Sequence, residues 1–199
     1  MTAAFIVIEG PNGVGKTTGA RLLAARLAAR GHGVHLTAEP TRTRLGDLIR
    51  ETEDELPGRA LALAVAADRA VHVGNEITPA LREGRMVVSD RYVPSSLVLQ
   101  RLDGFRLSEI WRLNDFAPRP SLTIYLEEDP EIITGRLEER GTLSRFEKCC
   151  SPARELELYR GAYRFLRWHR WRQARIDCRG MNPAGVLAGM LRKIDPLGL

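Results

Sequence analysis

Residues 10–17 read Gly10-Pro11-Asn12-Gly13-Val14-Gly15-Lys16-Thr17. This octapeptide matches G-x-x-x-x-G-K-[ST], the pattern of a loop that binds the phosphates of a nucleoside triphosphate. Its glycines can adopt positive φ, so that successive backbone N–H groups turn toward a phosphate. In such a loop the lysine reaches the β- and γ-phosphates, and the final hydroxyl coordinates Mg²⁺. The residues predicted to bind the nucleotide are Gly10, Asn12, Gly13, Val14, Gly15, Lys16, Thr17 and Thr18.

The segments on either side of the loop support this prediction. Residues 4–9 form an apolar run that predicts a buried strand, and residues 18–30 are predicted to form a helix. The N-terminus of that helix would face the bound anion, where its dipole and free N–H groups favour negative charge. The sequence therefore predicts a nucleotide site at the first junction between a strand and a helix.

Short apolar strands alternate with longer helical segments along the rest of the chain. Further strands are predicted at 34–38, 86–90, 121–126 and 175–178. Helices are predicted at 44–53, 58–82 (with Pro57 at its start), 97–114 (with a break at Gly104), 130–140, 153–173 and 183–194, and a loop at 141–152. This order is typical of an α/β fold with a mostly parallel sheet. A length of 199 residues fits one domain, 1–199.

Composition narrows the class of protein. No apolar run approaches the ~20 residues that span a bilayer, and the N-terminus lacks the basic segment of a signal peptide. Three cysteines, two of them adjacent at Cys149 and Cys150, form neither a disulfide framework nor a metal-binding spacing. We therefore expect a reducing, cytoplasmic compartment and no membrane partner.

The net charge of +5 has two explanations. It fits a pocket that holds several phosphates within a solvated basic surface, and it also fits affinity for nucleic acid. The second explanation rests on the basic segment 164–175, in which Trp168 and Trp171 are expected at or near the core. We favour the first explanation and do not expect a nucleic-acid partner.

Asp90 ends an apolar strand and is followed by Arg91. An acid at the C-terminal edge of a parallel sheet is suited to hold Mg²⁺ or its water ligands, so Thr17 and Asp90 are the predicted metal ligands. Arg91 can cross the same edge and bridge two phosphate groups. The alternative is an Asp–Arg pair in a surface turn.

Arginines gather at segment ends that are predicted to converge near the loop. A phosphoryl group in transfer carries charge on its equatorial oxygens, and planar guanidinium groups neutralise that charge well. The segment 141–152 begins with small residues and carries an arginine. These features are typical of a mobile lid that excludes water. A simple connection between helices is the alternative. The arginines predicted to converge near the loop are Arg42, Arg50, Arg69, Arg91, Arg136, Arg140 and Arg145. The predicted catalytic residues are Lys16, Asp90, Arg91, Arg140 and Arg145.

Several ordered motifs resemble the thymidylate kinase family of nucleoside monophosphate kinases. The chain has no N-K-x-D segment for guanine, which disfavours a GTPase, and no signature loop of an ABC-type ATPase. The resemblance covers nearly the whole chain and rests on residues 5–10 leading into the loop, Glu39-Pro40-Thr41-Arg42, Ala67-Asp68-Arg69-Ala70, Asp90-Arg91-Tyr92 with Ser95-Ser96, residues 120–126, and Arg140-Gly141 with Arg145-Phe146-Glu147.

The resemblance implies a three-layer P-loop kinase fold with a five-stranded parallel sheet flanked by helices. It also implies ATP with Mg²⁺ as the donor, dTMP as the acceptor, and a homodimer. By analogy, Arg69 would bind the carbonyl edge of the pyrimidine, and Arg42 and Arg91 the acceptor phosphate. Because Val14 is neutral, the chain resembles the branch in which the lid supplies the assisting cation. The substrate-binding residues are then Glu39, Arg42, Val65, Arg69, Arg91, Ser95, Ser96 and Leu99.

Three positions depart from the family pattern, and all lie on the acceptor side. Asn12 stands where the family usually has an acid, Val65 where a phenylalanine stacks on thymine, and Leu99 where a tyrosine often meets the sugar. Losing a base stack costs about 1–3 kcal/mol. The leading hypothesis is an ATP-dependent kinase of dTMP. The alternatives are a kinase of another pyrimidine or modified nucleotide and, from a different class, a nucleotide-binding protein without catalysis.

Overall fold

The computed structural model describes residues 3–56 and 58–197 of the chain. Five strands form one sheet in which every pairing is parallel, with the order β2-β3-β1-β4-β5. The strands are β1 Phe5–Glu9, β2 Val34–Ala38, β3 Met86–Asp90, β4 Leu122–Glu127 and β5 Gln173–Asp177. Ile8 of β1 lies in register with Asp90 on one side and Ile124 on the other. The acid predicted to bind metal therefore ends the strand next to the phosphate loop.

Ten α-helices cover the sheet within the described ranges. They are α1 Lys16–Ala29, α2 Arg44–Glu51, α3 Arg59–His72, α4 Thr78–Arg82, α5 Val93–Leu99, α6 Leu107–Arg112, α7 Pro130–Arg140, α8 Arg145–Cys149, α9 Pro152–Trp168 and α10 Pro183–Ile194. A π-helical segment, Val73–Ile77, joins α3 to α4, and a 3-10 segment, Gln100–Asp103, follows α5.

Side chains on the two faces of the sheet build two separate cores. One face of β1 places Ile6 and Ile8 against apolar residues of α1, α7 and α10. The other face places Phe5 and Val7 against apolar residues of α5 and α9. Alternation along a strand explains the division, because successive side chains point to opposite faces. The result is the three-layer α/β architecture that the sequence predicts.

Several elements have the bounds that the sequence predicts. β2, β3, α7 and α10 match residue for residue. Asn182 caps α10 as expected, because its Oδ1 accepts the Gly185 N–H at 2.9 Å. The predicted helix at 58–82 is helical throughout but is divided by the π segment. Pro57, predicted at its start, lies outside the described residues.

Three predictions at segment ends are wrong. The helix predicted at 97–114 begins at Val93, with Pro94 in its first turn, and the 3-10 segment after it ends at Asp103. The predicted break at Gly104 is confirmed, because φ is 88° there and the next helix begins at Leu107. The helix predicted at 153–173 ends at Trp168, and Gln173 already belongs to β5. Trp168 is 86 % exposed rather than near the core, whereas Trp171 is buried.

The predicted loop at 141–152 contains the short helix α8. Ser144 and Glu147 form a capping box that starts this helix: Glu147 accepts the Ser144 N–H at 2.7 Å, and the Ser144 hydroxyl accepts the Glu147 N–H at 3.4 Å. The segment predicted as a lid thus holds a capped helical turn.

Candidate active site

The phosphate loop connects β1 to α1 in the conformation that its glycines require. Gly10 and Gly13 have φ values of 139° and 78°. A Cβ on Gly10 would lie 2.5 Å from the Leu126 carbonyl oxygen, so that position excludes any side chain. The loop therefore lies tightly against the end of β4, and it leads directly into the N-terminus of α1, where free N–H groups and the helix dipole favour an anion.

Lys16 is buried and turned back onto the loop. Its Nζ donates to the carbonyl oxygens of Gly10 at 2.8 Å and Pro11 at 2.7 Å. Burial, followed by the nearby charge of Arg91, lowers the pKa of Lys16 to about 7. A phosphate arriving at the loop would restore favourable surroundings for the ammonium form.

Thr17 and Asp90 meet across the sheet edge. The Thr17 hydroxyl donates to Asp90 Oδ2 at 2.5 Å. The other carboxylate oxygen, Oδ1, is buried and has no partner within the described ranges. A hydroxyl beside an unpartnered carboxylate oxygen fits Mg²⁺, which typically takes one or two protein carboxylates together with substrate phosphates. The residues predicted as metal ligands are therefore adjacent and suited to that ion.

Arg91 links the phosphate loop to the acceptor side of the site. Its backbone has φ 74°, a conformation that non-glycine residues rarely adopt. Its Nη2 donates to Asn12 Oδ1, and its Nη1 donates to Ser95 Oγ at 3.1 Å. Nearby Tyr159, Asp90 and Glu9 outweigh the effect of burial and raise the pKa of Arg91.

A cavity of about 640 Å³ opens beside Arg91. Seven of the predicted substrate residues line it: Glu39, Val65, Arg69, Arg91, Ser95, Ser96 and Leu99. Asn12, a residue of the predicted nucleotide loop that is also expected on the acceptor side, lines it as well. Arg42 does not line this cavity. It borders a separate crevice beside Thr17 and Asp90, so its predicted contact with an acceptor phosphate has no support from its position.

Arg69 forms the floor of the cavity and is held on all sides. Its Nε and Nη2 donate to Glu39 Oε2 at 2.9 and 2.6 Å, and its Nη1 donates to Asn114 Oδ1. Its guanidinium carbon lies 5.4 Å from the centre of the Tyr92 ring. These contacts use three of the five N–H groups of the guanidinium, which leaves two for a ligand.

The two lid arginines have different surroundings. Arg140 lines the cavity, and its Nη2 donates to Glu147. Arg145 pairs with Asp103 instead, and its guanidinium lies 5.2 Å from the centre of the Phe146 ring. Arg145 is not among the residues that line the cavity. The structure therefore brings one of the two predicted lid cations to the site.

A second crevice, of about 360 Å³, opens on the other side of the loop. Gly13, Val14, Gly15 and Thr18 line it together with Arg136. Arg136 also pairs with Glu128 at 3.2 Å. The loop thus lies between the large cavity and this crevice. The two spaces can hold two molecules, one on each side of the loop.

Three functional candidates were not predicted. Gln100 is buried in the cavity wall, and its Oε1 has no partner in the described part of the chain. Its position four residues after Ser96 on the same helical run is a signal that could have found it. Glu155, buried in the first turn of α9, accepts the Asn12 N–H at 3.1 Å, and no local sequence signal marks it.

The third candidate is Glu9, the last residue of β1. Its carboxylate accepts the backbone N–H of Tyr92 at 2.8 Å and the hydroxyl of Tyr159 at 3.1 Å. Full burial raises the pKa of Glu9 to about 7, against the opposing charge of Arg91. Glu9 therefore ties β1 to the segment after Arg91 and to α9.

Comparison with known proteins identifies consistent relatives. Residues 8–165 match the family model described as thymidylate kinase. The chain is 44 % identical over 164 residues to a protein of Pyrococcus horikoshii named "Probable thymidylate kinase", covering 78 % of this chain and 80 % of that protein. It is 40 % identical over 148 residues to a protein of Geobacillus thermodenitrificans named "Thymidylate kinase", covering 70 % of this chain and 66 % of that protein.

Proposed function

The chain belongs to the thymidylate kinase family, and on that premise we propose that it transfers the γ-phosphoryl group of ATP to dTMP. The observation that carries this proposal is the position of Arg91. One of its guanidinium nitrogens donates to Asn12 of the phosphate loop, and the same side chain lines the 640 Å³ cavity. A single cation would thus border both the triphosphate and the acceptor.

The acceptor would occupy the large cavity. Arg69 keeps two free N–H groups and Gln100 an unpartnered amide oxygen, so together they supply donors and an acceptor for a pyrimidine edge. Ser95 and Ser96 lie in the same wall. An acceptor that pairs with these groups lowers the cost of their burial, which favours a base with complementary polar edges.

Transfer follows from positioning and charge. An oxygen of the acceptor phosphate attacks the γ-phosphorus in line, the bond to the β-phosphate oxygen breaks, and ADP departs. The acceptor oxygen is already anionic, so no general base is required. Arg91 and Arg140 line the large cavity, and Lys16 lies on the adjoining phosphate loop. Together they would offset the negative charge that spreads over the transferring group. Mg²⁺, held by Thr17 and Asp90, would neutralise further charge on the phosphates.

The donor base would occupy the smaller crevice beside Val14, Thr18 and Arg136. The lid would add Arg140 directly. Arg145 would contribute only after leaving Asp103, to which it is paired in this structure. We therefore assign the assisting lid cation to Arg140 first, with Arg145 as the cation that lid movement would supply.

A second candidate function is a kinase of another pyrimidine monophosphate. Val65 and Leu99 line the cavity without offering an aromatic face to the base or sugar. A panel of dTMP, dUMP, UMP, dCMP and CMP, assayed with ATP and Mg²⁺ by coupled ADP release, tests both candidates. We expect dTMP to have the highest kcat/KM. Preference for another acceptor would establish the second candidate, and binding of ATP without turnover would support the non-catalytic alternative.

We also propose a homodimer that pairs through α3. Ala60, Leu63, Ala67 and Val71 recur every three or four residues and are all exposed, which leaves an uncharged stripe along this helix. A second copy of the same stripe is its simplest partner. Sedimentation velocity at micromolar concentration should show a dimer, and Leu63→Glu a monomer. A wild-type monomer would contradict the proposal.

A cytoplasmic location is our final proposal. All three cysteines, Cys149, Cys150 and Cys178, are free thiols, as expected in a reducing compartment. Within the described ranges, no helix has the length and apolar character needed to cross a bilayer.

A further inference from the structure

A continuous series of polar contacts runs from the edge strand of the sheet to the floor of the acceptor cavity. Each member lies within hydrogen-bonding distance of the next, and the series ends at the guanidinium that faces the acceptor. In order, its members are His35, Glu76, Thr37, His72, Glu39 and Arg69.

His72 is the central member and is fully enclosed. It is the last residue of α3 and is 1 % exposed. Its Nδ1 lies 3.0 Å from Glu39 Oε1, and its Nε2 lies 2.8 Å from Thr37 Oγ1. Both ring nitrogens therefore face oxygen atoms, and the protons on the ring follow from what those oxygens can accept.

The contact with Glu39 places a proton on Nδ1. Glu39 Oε2 accepts two N–H groups of Arg69, and Glu39 Oε1 lies 3.0 Å from His72 Nδ1, so Nδ1 donates to that oxygen. Nε2 faces the Thr37 hydroxyl, which can accept from a ring N–H or donate to a ring nitrogen and which also lies 3.0 Å from Glu76 Oε2. In either case both ring nitrogens have a partner, and the plane of the ring is held.

The His72 ring completes the fixation of Glu39. One carboxylate oxygen accepts from His72, and the other accepts two N–H groups from Arg69. Neither oxygen is free to turn, so the plane of the carboxylate fixes the plane of the Arg69 guanidinium. Without His72, Glu39 could rotate about its side-chain bonds and Arg69 would lose its defined orientation.

The backbone supports the same arrangement. Asp68, next to Arg69 on α3, accepts the Thr41 hydroxyl at 2.6 Å and the Thr41 N–H at 2.7 Å. The helix then widens into the π segment directly after His72, and this segment carries Glu76 toward Thr37 and His35. π segments of this kind recur at functional sites. Side chains of α3 and of the π segment thus bind residues 37–41 through hydrogen bonds.

We propose that His72 is a positioning residue for acceptor recognition, held between Thr37 and Glu39 and acting through Glu39 to orient Arg69. The charged and titratable groups facing it are Glu39, Glu76 and, through Glu39, Arg69. The inference rests on the proposed function, because it takes the occupant of the cavity to be the acceptor nucleotide.

The contact between His72 and Glu39 can be tested without activity. Long-range ¹H–¹⁵N spectra of the full-length protein report the protons on each nitrogen of its four histidines. His72 is assigned by the signals lost in His72→Gln. We expect Nδ1 of His72, which faces Glu39, to carry a proton. A ring protonated at Nε2 alone would overturn the proposal.

Kinetics test the role. We expect His72→Gln to raise the KM for dTMP about tenfold, as for a weakened hydrogen bond to a charged group, and to leave the KM for ATP within about twofold. Thr37→Val removes the partner of His72 Nε2 but keeps the contact between Nδ1 and Glu39, so it should raise the KM for dTMP less. The matched control is His32→Gln, since His32 lies in the turn after α1 and outside this series of contacts.

Two outcomes would overturn the role. One is an unchanged KM for dTMP in folded variants. The other is a fall in kcat with a parallel rise in the KM values for dTMP and ATP and a lowered stability, which would indicate a purely structural role. Absence of dTMP turnover in the wild type would instead reject the proposed function, while the spectra would still decide the state of His72.

Discussion

The Thr17 hydroxyl and the Asp90 carboxylate lie 2.5 Å apart, although 73 positions separate them in the chain. Parallel pairing of β1 with β3 brings them together, because Ile8 and Asp90 are in register at the carboxyl edge of the sheet. The pair proposed to bind the metal is therefore assembled by the topology of the sheet.

We predict that Asp90→Asn lowers the affinity for the Mg²⁺ that supports turnover. The amide keeps the hydrogen bond from Thr17 but presents no full charge to a cation. The Mg²⁺ concentration for half-maximal activity should rise at least about tenfold in a titration at fixed ATP. Asp115→Asn, at an exposed position, is the matched control. An unchanged Mg²⁺ profile in Asp90→Asn would remove Asp90 from the metal site.

Replacement of Lys16 by alanine should abolish turnover while the fold survives. Its ammonium group is the cation closest to the loop carbonyls of Gly10 and Pro11, and electrostatic groups of this kind contribute about 10²–10³-fold or more to rate. Coupled assays measure the loss, and circular dichroism checks the fold. Lys193→Ala, on the exposed side of α10, should keep full activity. Retained turnover in Lys16→Ala would refute the assignment.

The stability of the nucleotide-free protein should depend on pH through Lys16. Its pKa is lowered to about 7 in the folded state, against 10.5 for an unperturbed lysine. Between these values the unfolded chain binds more protons, so stability rises with pH by up to about 1.4 kcal/mol per unit. Lys16→Met lacks this contribution. The difference in unfolding free energy, wild type minus variant, should increase from pH 7 to pH 10. A constant difference would contradict the lowered pKa of Lys16 in the folded protein.

Gln100→Leu should raise the KM for dTMP selectively. Gln100 lines the cavity, and leucine is of similar size but removes the amide, whose buried Oε1 has no partner among the described residues. Loss of one such hydrogen bond corresponds to about 1–3 kcal/mol, or roughly 5- to 150-fold in KM. The KM for ATP provides an internal control, because the donor crevice lies on the other side of the loop. Equal effects on both substrates would show that Gln100 is structural.

Sequence patterns predict the donor side of the site well. The glycine–lysine loop, the apolar strand ending at Asp90 and the alternation of strands with helices are local signals, and each has its expected place in the structure. They succeed because phosphate binding by backbone amides depends on the conformation of a few consecutive residues.

The acceptor side depends on contacts between distant segments, which the sequence does not display. Arg42 follows a family-like motif but borders a different crevice from the other substrate residues. Trp168 has helical spacing suited to burial, yet it lies on the exposed face of α9 near its end. His72 has the local pattern of an ordinary core histidine, and only the fold brings Thr37 and Glu39 to its two nitrogens.

The central claim is transfer of a phosphoryl group from ATP to dTMP, and ³¹P NMR of a single reaction tests it most directly. Protein, dTMP, ATP and Mg²⁺ are mixed, and all phosphorus species are followed together. The account predicts that the dTMP signal is replaced by the two signals of dTDP while ADP appears in equal amount, with no inorganic phosphate. Formation of ADP and inorganic phosphate with dTMP unchanged, or no reaction at all, would contradict it.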